Sequence, residues 1–338
     1  MYAQPQTIGV LICSYRRPDS LLRGLAALAA QTRMPDDVLV VARADDAATL
    51  EALAARPLAG PLPLRVLTVS RPGTVHALNT GLESCRTDVL AITDDDTVPH
   101  PDWLARILAH FSKDPALGGV GGRDWCHDGA RFEDRGASPV GRLQWFGRTI
   151  GNHHLGIGAP RDVDFLKGAN MSYRAAALGG MRFDTRLCGT GAQPYEDIAF
   201  SLAVRRAGWK LLYDPLVAVD HYAATREEPR HYAGVAKGRD LRGLSELAHN
   251  EVVALWPSLT PAGRVAYVVW SVLVGTGTSP GLVQAIRYVP RLGTGSWRRF
   301  GTVQRAKMSG YRSLRQRGSR GTPALAAPRG APSGTAIP

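Results

Sequence analysis

Four cysteines are spread over 338 residues, Cys13, Cys85, Cys126 and Cys188, and no two form a Cys-x-x-Cys pair. That argues against a zinc or disulfide scaffold and fits a reducing compartment. A clean membrane span is missing as well. Val265 to Ile286 carries no charge, but its middle is Gly275-Thr276-Gly277-Thr278-Ser279-Pro280-Gly281. A polar, helix-breaking centre predicts two short helices joined by a turn, packed on the rest of the chain or dipped into a membrane surface. Met1 to Gln6 is polar and Ile8 to Cys13 is too short for an h-region, so no signal peptide is expected. The last absence is of acid. Arg287 to Pro338 holds eleven Lys and Arg and no Asp or Glu.

The net charge of +12 is therefore uneven: outside that tail, 30 of the 41 basic residues face all 29 acidic ones. A near-neutral body does not read as a nucleic-acid binder, and none is expected as a partner. A basic tail fits an anionic surface, which predicts peripheral membrane contact through 265–320. With 44% hydrophobic and 21% charged residues, most of the chain can bury a core. Residues 318–338, rich in Gly, Pro, Ala and Ser, read as a disordered tail.

Apolar runs and helical periodicity alternate along the first hundred residues. Strands are expected at Thr7–Cys13, Val38–Val41, Leu64–Val69 and Val89–Thr93. Helices are expected from Ser20, over Ala47–Arg56 and over Gly73–Ser84. Such alternation predicts an α/β fold with a doubly wound, mostly parallel sheet flanked by helices. Ligands bind such sheets beyond the carboxyl ends of the strands. Tyr15–Arg17, Arg43–Asp46, Arg71–Gly73 and Asp94–Asp96 all fall there. The run ending in Asp94-Asp95-Asp96 is the most pointed of these. Three adjacent carboxylates repel one another unless a cation neutralises them, and hard oxygen ligands suit Mg2+ or Mn2+. Further along, Gly118–Trp125 reads as a glycine-rich strand open to close approach by a ligand or a strand. Residues 127–162 read as irregular, and His153-His154 within them as solvated and not metal-binding.

Taken in order, several motifs resemble those of the family 2 inverting glycosyltransferases of GT-A fold. They are Cys13-Ser14-Tyr15-Arg16-Arg17-Pro18, Gly73-x-x-x-Ala77-x-Asn79-x-Gly81, the aspartate triplet, Lys167-Gly168-Ala169-Asn170-Met171, Glu196-Asp197, and Gly208-Trp209 through Tyr213-Asp214-Pro215 to His221. The resemblance covers residues 7–222. It implies a GT-A domain over 1–225, with donor binding in 1–100 and the acceptor side in 120–225. A helical, membrane-associating extension over 226–317 follows.

The resemblance also implies roles. Asp96 and His221 would hold a divalent cation, Mn2+ or Mg2+. Asp94 would face the nucleoside and Asp95 would lie between, both on the donor side. Asp197 would be the general base, with Glu196 orienting it or meeting the acceptor. Tyr15, Arg16, Arg71 and Lys167 would contact the donor, Tyr15 by stacking on uracil. Where the family often carries Asp-Asp-Gly-Ser, this chain has Arg43-Ala44-Asp45-Asp46, so either Asp45 or Asp46 would meet the base. Gly73 reads as a backbone requirement and Asn79 as a brace. The Gln-x-x-Arg-Trp segment of processive synthases is lacking, since Gln144-Trp145 does not fit it, and single addition is expected. The implied function is transfer of a sugar from a UDP-linked donor to a glycan or lipid-linked acceptor, with inversion, in cell-surface polysaccharide or glycoconjugate synthesis. The expected place is the cytoplasm, at the inner face of the plasma membrane. A sugar nucleotidyltransferase is the rival, but Ser14-Tyr15-Arg16-Arg17 lacks the glycines of a phosphate loop. A non-catalytic nucleotide-sugar-binding protein is another, but it would be expected to have lost the acids.

Overall fold

The computed structural model describes residues 6–55, 62–128, 131–132, 136–222 and 240–316. Strand β1 (Ile8–Ser14) is central. Its side chains alternate between two apolar clusters, Ile8, Val10 and Ile12 on one face and Leu11 on the other. β2 (Asp37–Arg43) and β4 (Val89–Asp94) alternate in the same way. A sheet buried on both faces needs apolar residues at both parities, which is why these strands read as continuous apolar runs. β3 (Leu64–Val69) completes a parallel half in the order β3-β2-β1-β4.

Helices cover both faces. On one, α1 (Pro18–Ala29) contributes Leu21, Leu25 and Leu28. α4 (Trp103–Lys113) adds Trp103, Leu104, Ile107 and Phe111 there. On the other, α3 (Thr74–Ser84) contributes Val75, Leu78 and Leu82. α2 (Ala47–Ala55) lies between β2 and β3 in the chain. α1 begins at Pro18, two residues before the expected start, because a proline tolerates the first helical position, where its missing N–H costs nothing.

Beyond β4 the sheet becomes mixed. After β5 (Thr97–Pro99) and α4 comes β6 (Leu117–Asp128), which carries a short antiparallel partner, β7 (Arg131–Phe132). β8 (Arg142–Leu143) and β9 (Thr149–Ile150) pair as a separate hairpin, and β10 (Arg161–Asp162) sits at the sheet edge. β11 (Asn170–Arg174) runs antiparallel between β4 and β6. A four-residue helix, α5 (Ala175–Leu178), and then α6 (Glu196–Arg206) precede β12 (Lys210–Tyr222). β12 passes through Pro215 as one strand. Its register against β6 slips between Asp214 and Val219. Gly122 faces that bulge, where a Cβ would strike the carbonyl of Val217. Gly122, and Gly121 against the Asn170 carbonyl, therefore serve strand-to-strand approach.

Among the described residues four α-helices follow: α7 (Leu241–Leu255), α8 (Pro261–Leu273), α9 (Leu282–Leu292) and α10 (Gly295–Arg315). α7 belongs to the main body, since Val253 enters the sheet's core and Ala254 and Leu255 pack on Leu202 of α6. The expected disordered tail at 318–338 lies outside the described residues.

Candidate active site

β1 leaves the sheet at Ser14, and β4 ends beside it, with Cys13 opposite Asp94. The side chains after these two strands therefore meet. Arg17 spans the triplet: its guanidinium lies 2.7 Å from Asp95 Oδ1 and 3.0 Å from Asp96 Oδ2. Asp95, expected on the donor side, is 1% exposed and lies beneath Arg17. Burial pushes its carboxyl up to about 7, with Arg17 opposing the shift and Asp96 adding to it.

The turn is fastened from two sides. The Thr97 hydroxyl donates to the Asp94 carbonyl at 2.7 Å, and the Thr93 hydroxyl to the Ala169 carbonyl at 2.8 Å. The Tyr222 N–H donates to the Asp96 carbonyl at 2.9 Å, which holds the end of β12 against the triplet. His221 is thereby presented to the acids. Its Nε2 lies 3.2 Å from Asp96 Oδ1 and its Nδ1 3.7 Å from Asp124 Oδ2. Burial opposes charge on the ring, but the Asp124, Asp96 and Cys126 side chains beside it outweigh that and push the imidazole up to about 12, so a cation held there would displace a ring proton.

One ligand atom each from Asp94, Asp96 and His221 falls within 4.8 Å of the others. Two carboxylates and an imidazole form a donor set that fits Mn2+ or Mg2+. Asp94, expected to face the nucleoside, thus stands with Asp96 and His221. Asp124, Cys126 and His221 make a second such group, with His221 common to both.

Asp124 is 1% exposed and forms an ion pair with Lys167. Burial disfavours its charge, but His221 and Lys167 hold it well below the usual carboxylate range. Lys167, expected at the donor, thus also neutralises Asp124. Next along that segment, the Gly168 N–H donates to Asp197 Oδ2 at 3.1 Å, while the Ile198 N–H donates to Oδ1 at 2.7 Å. Burial raises the Asp197 carboxyl, against those two N–H groups and Lys167. A Cβ on Gly168 would stand 3.9 Å from Asp197 Oδ2 and 4.0 Å from Glu196 Oε1, so the glycine faces both acids.

The loop before Glu196 is braced. Asn250 of α7 accepts from the Cys188 N–H at 2.7 Å and donates to the carbonyls of Cys188 and Pro194. Gln193 accepts the Val75 N–H at 3.0 Å, so the same loop docks on the start of α3. Gly73 there has φ +114, a left-handed value suited to glycine, and a Cβ would crowd Gln193. Tyr195 itself holds φ 75, a strained value for a non-glycine at the head of α6. Asn79 braces Phe183 through both its amide atoms.

On the nucleoside side, the Tyr15 ring faces the guanidiniums of Arg16 at 5.1 Å and Arg43 at 4.9 Å. Arg43 pairs with Asp45, whose carboxylate is exposed. Asp46 is buried and caps α2, accepting from the Arg16 and Thr49 N–H groups. Of the two, Asp45 is the carboxylate left exposed. Arg71 stands exposed before Gly73. His153, expected in solvent, is buried instead, with its ring on the Phe165 carbonyl at 3.0 Å, and burial lowers it to about 4. The sequence marks Arg17 only as part of the Tyr15–Arg17 turn, and it does not single out Asp124 or Asn250. A charged Arg123-Asp124 pair inside a glycine-rich strand was the one available signal, because a charge there must have a partner.

The curated relatives are pre-mycofactocin glycosyltransferases of two Mycobacterium tuberculosis strains, CDC 1551 / Oshkosh and H37Rv. Each is 28% identical over 225 residues, which is 63% of this chain and 43% of the relative. The chain thus matches less than half the length of those proteins. Among solved structures, GalNAc-T7, determined with UDP, GalNAc and Mn2+, superposes with a TM-score of 0.57 at 16% identity, over 74% of this chain and 48% of that one. The likeness is one of fold, GT-A. A family model described as glycosyltransferase like family 2 matches residues 5–242. With most of the sequence inside that match, the chain belongs to glycosyltransferase-like family 2.

Proposed function

We propose that the protein is a metal-dependent inverting glycosyltransferase. It would move one sugar per encounter from a nucleoside-diphosphate donor, UDP-linked, to a glycan or lipid-linked acceptor in cell-surface polysaccharide or glycoconjugate synthesis. The observation that carries this reading is the convergence of Asp94, Asp96 and His221 within 4.8 Å at the strand ends, with Asp197 set across Gly168. Asp94, Asp96 and His221 would hold Mn2+ or Mg2+, whose chemistry, when bound, is to neutralise charge on the departing diphosphate.

The remaining steps belong to the chain's own groups. Asp197 accepts the proton of the acceptor hydroxyl as its oxygen bonds to the anomeric carbon. The carbon–oxygen bond to the diphosphate breaks on the opposite face and the electron pair leaves with it, so configuration inverts. Glu196 orients the acceptor, Lys167 and Arg71 attract the phosphates, and Tyr15, Arg16 and Asp45 receive the nucleoside. Cytoplasmic placement at the inner face of the plasma membrane would bring the site to a lipid-linked acceptor.

The test is nucleoside-diphosphate release from a panel of UDP- and GDP-sugars, with Mn2+, Mg2+ or chelator, and with glycan, polyprenyl-linked and pre-mycofactocin acceptors. Release should require the cation and vanish in Asp96→Ala. Release indifferent to both would sink the metal-dependent reading. Pyrophosphate formed from a nucleoside triphosphate and a sugar phosphate would favour a nucleotidyltransferase instead.

A further inference from the structure

We propose that α8 and α9 lie in the plane of an anionic lipid surface, with their valine-rich faces in the acyl boundary. Glycosyl transfer is not a premise of this proposal, which rests on the inverted polarity of the C-terminal helices. α8 buries Gly263, Tyr267 and Ser271 and exposes Val265, Val268, Val269, Val272 and Leu273. α9 buries Ala285 and exposes Leu282, Val283, Ile286 and Val289. Val265 is 66% exposed, Ile286 56% and Val283 52%. Behind them the bundle buries ionic and polar groups. Glu251 accepts from the Tyr267 hydroxyl at 2.7 Å and from Lys307 Nζ at 2.9 Å. Helices facing water place polar residues outward and apolar residues inward, and these do the reverse.

Neither helix can cross a bilayer. They have 13 and 11 residues, and no described helix is long and apolar enough to span. A span needs ~20 apolar residues. Short helices with one apolar face and cationic flanks lie in the interface. Charge selects the occupant. Glu251 is the last acid in the sequence, and every later charge is Lys or Arg. Arg287 and Arg291 are exposed on α9, as are Arg298, Arg305 and Arg312 at seven-residue spacing on α10. A second copy of this face would set arginine against arginine, and residues 317–338 add Arg317, Arg320 and Arg329 without an acid. Anionic headgroups neutralise that charge, and half-exposed Trp297 suits the headgroup level. The sequence points to 265–320 as a stretch, and the structure selects the face.

The experiment is sedimentation of the full chain with vesicles of phosphatidylcholine alone or with added phosphatidylglycerol. It compares the parent with a Val269→Asp, Ile286→Asp double variant, whose sites are exposed and do not test the core. The parent should bind the anionic vesicles in a salt-dependent way, with a blue shift of tryptophan emission. The double variant should bind at least ~100-fold more weakly, since two buried apolar contacts and their partition energy are lost. Its circular dichroism and its sugar transfer to a water-soluble acceptor should stay unchanged. Three results would overturn the proposal: no binding by the parent, undiminished binding by the variant (which would assign attachment to tail charge alone), or a parent dimer that the two substitutions split. Transfer can fail while vesicle binding succeeds, or the reverse, so the two proposals fall separately.

Discussion

His221 Nδ1 lies 3.7 Å from Asp124 Oδ2, so the imidazole that faces Asp96 through one nitrogen faces a buried carboxylate through the other. A carboxylate behind a ligating imidazole fixes its ring and raises its basicity. Asp124→Asn keeps the shape and removes the charge. The Mn2+ concentration for half-maximal activity should rise roughly 10- to 100-fold, with a smaller change at saturating metal. A metal titration of initial rates checks this, and an unchanged half-saturation point would reduce Asp124 to a partner of Lys167.

As the proposed general base, Asp197 would have to be ionised to accept a proton, yet burial raises its carboxyl above the ordinary aspartate value. The sign follows. Activity should be lost as pH falls through that raised value, giving kcat/KM an acid limb above the ~3.9 of a free aspartate. Asp197→Asn should lower kcat by about 10²- to 10⁴-fold, abolish that limb and leave donor affinity within a few-fold. Rate–pH profiles with donor titration by calorimetry separate the outcomes. A surviving acid limb would assign it to another group.

The parallel half of the sheet was legible because a strand buried on both faces must be apolar at every position, as Ile8–Ile12 and Val89–Ile92 are. Asp94–Asp96 stood out because a triple charge at the end of such a run has few structural uses. Contacts made by single residues far apart were not legible. Asp124 meets Lys167 43 residues later and His221 almost a hundred later, and no periodicity marks such a meeting. His153 was misplaced for a similar reason: its surroundings in sequence are polar, while burial comes from Phe165 and Tyr213 packing on it. The bulge in β12 likewise depends on Gly122 of another strand.

Arg17 offsets two acids that are each at most 2% exposed. Because the folded state holds the Asp95 carboxyl up to about 7, its contribution to stability is full below about pH 4 and is lost as pH rises through about 7. Removing Arg17 deepens that loss. Arg17→Met should cost about 3–5 kcal/mol near pH 8 and less near pH 5, where Asp95 keeps its proton. Urea unfolding at both values tests it. An equal deficit at the two would mean that Arg17 acts through packing or Asp96 alone.

Asp45 and Asp46 are neighbours with opposite tasks. Asp46 is buried and accepts the N–H groups of Arg16 and Thr49, so it anchors the Tyr15–Arg17 turn as well as the start of α2. Loss of a capping carboxylate costs ~1 kcal/mol, and the Arg16 N–H, left without its acceptor, adds ~1–3. Asp46→Ala should therefore lower Tm by several degrees and raise donor KM indirectly. Asp45 is exposed and pairs with Arg43, a surface pair that contributes at most ~1 kcal/mol. Asp45→Ala should leave Tm unchanged and raise donor KM several-fold, if its carboxylate receives the base. Comparing UDP- with GDP-sugars in that variant decides the point. A base contact predicts altered discrimination between the two donors. A role confined to orienting Arg43 over Tyr15 predicts an equal loss for both.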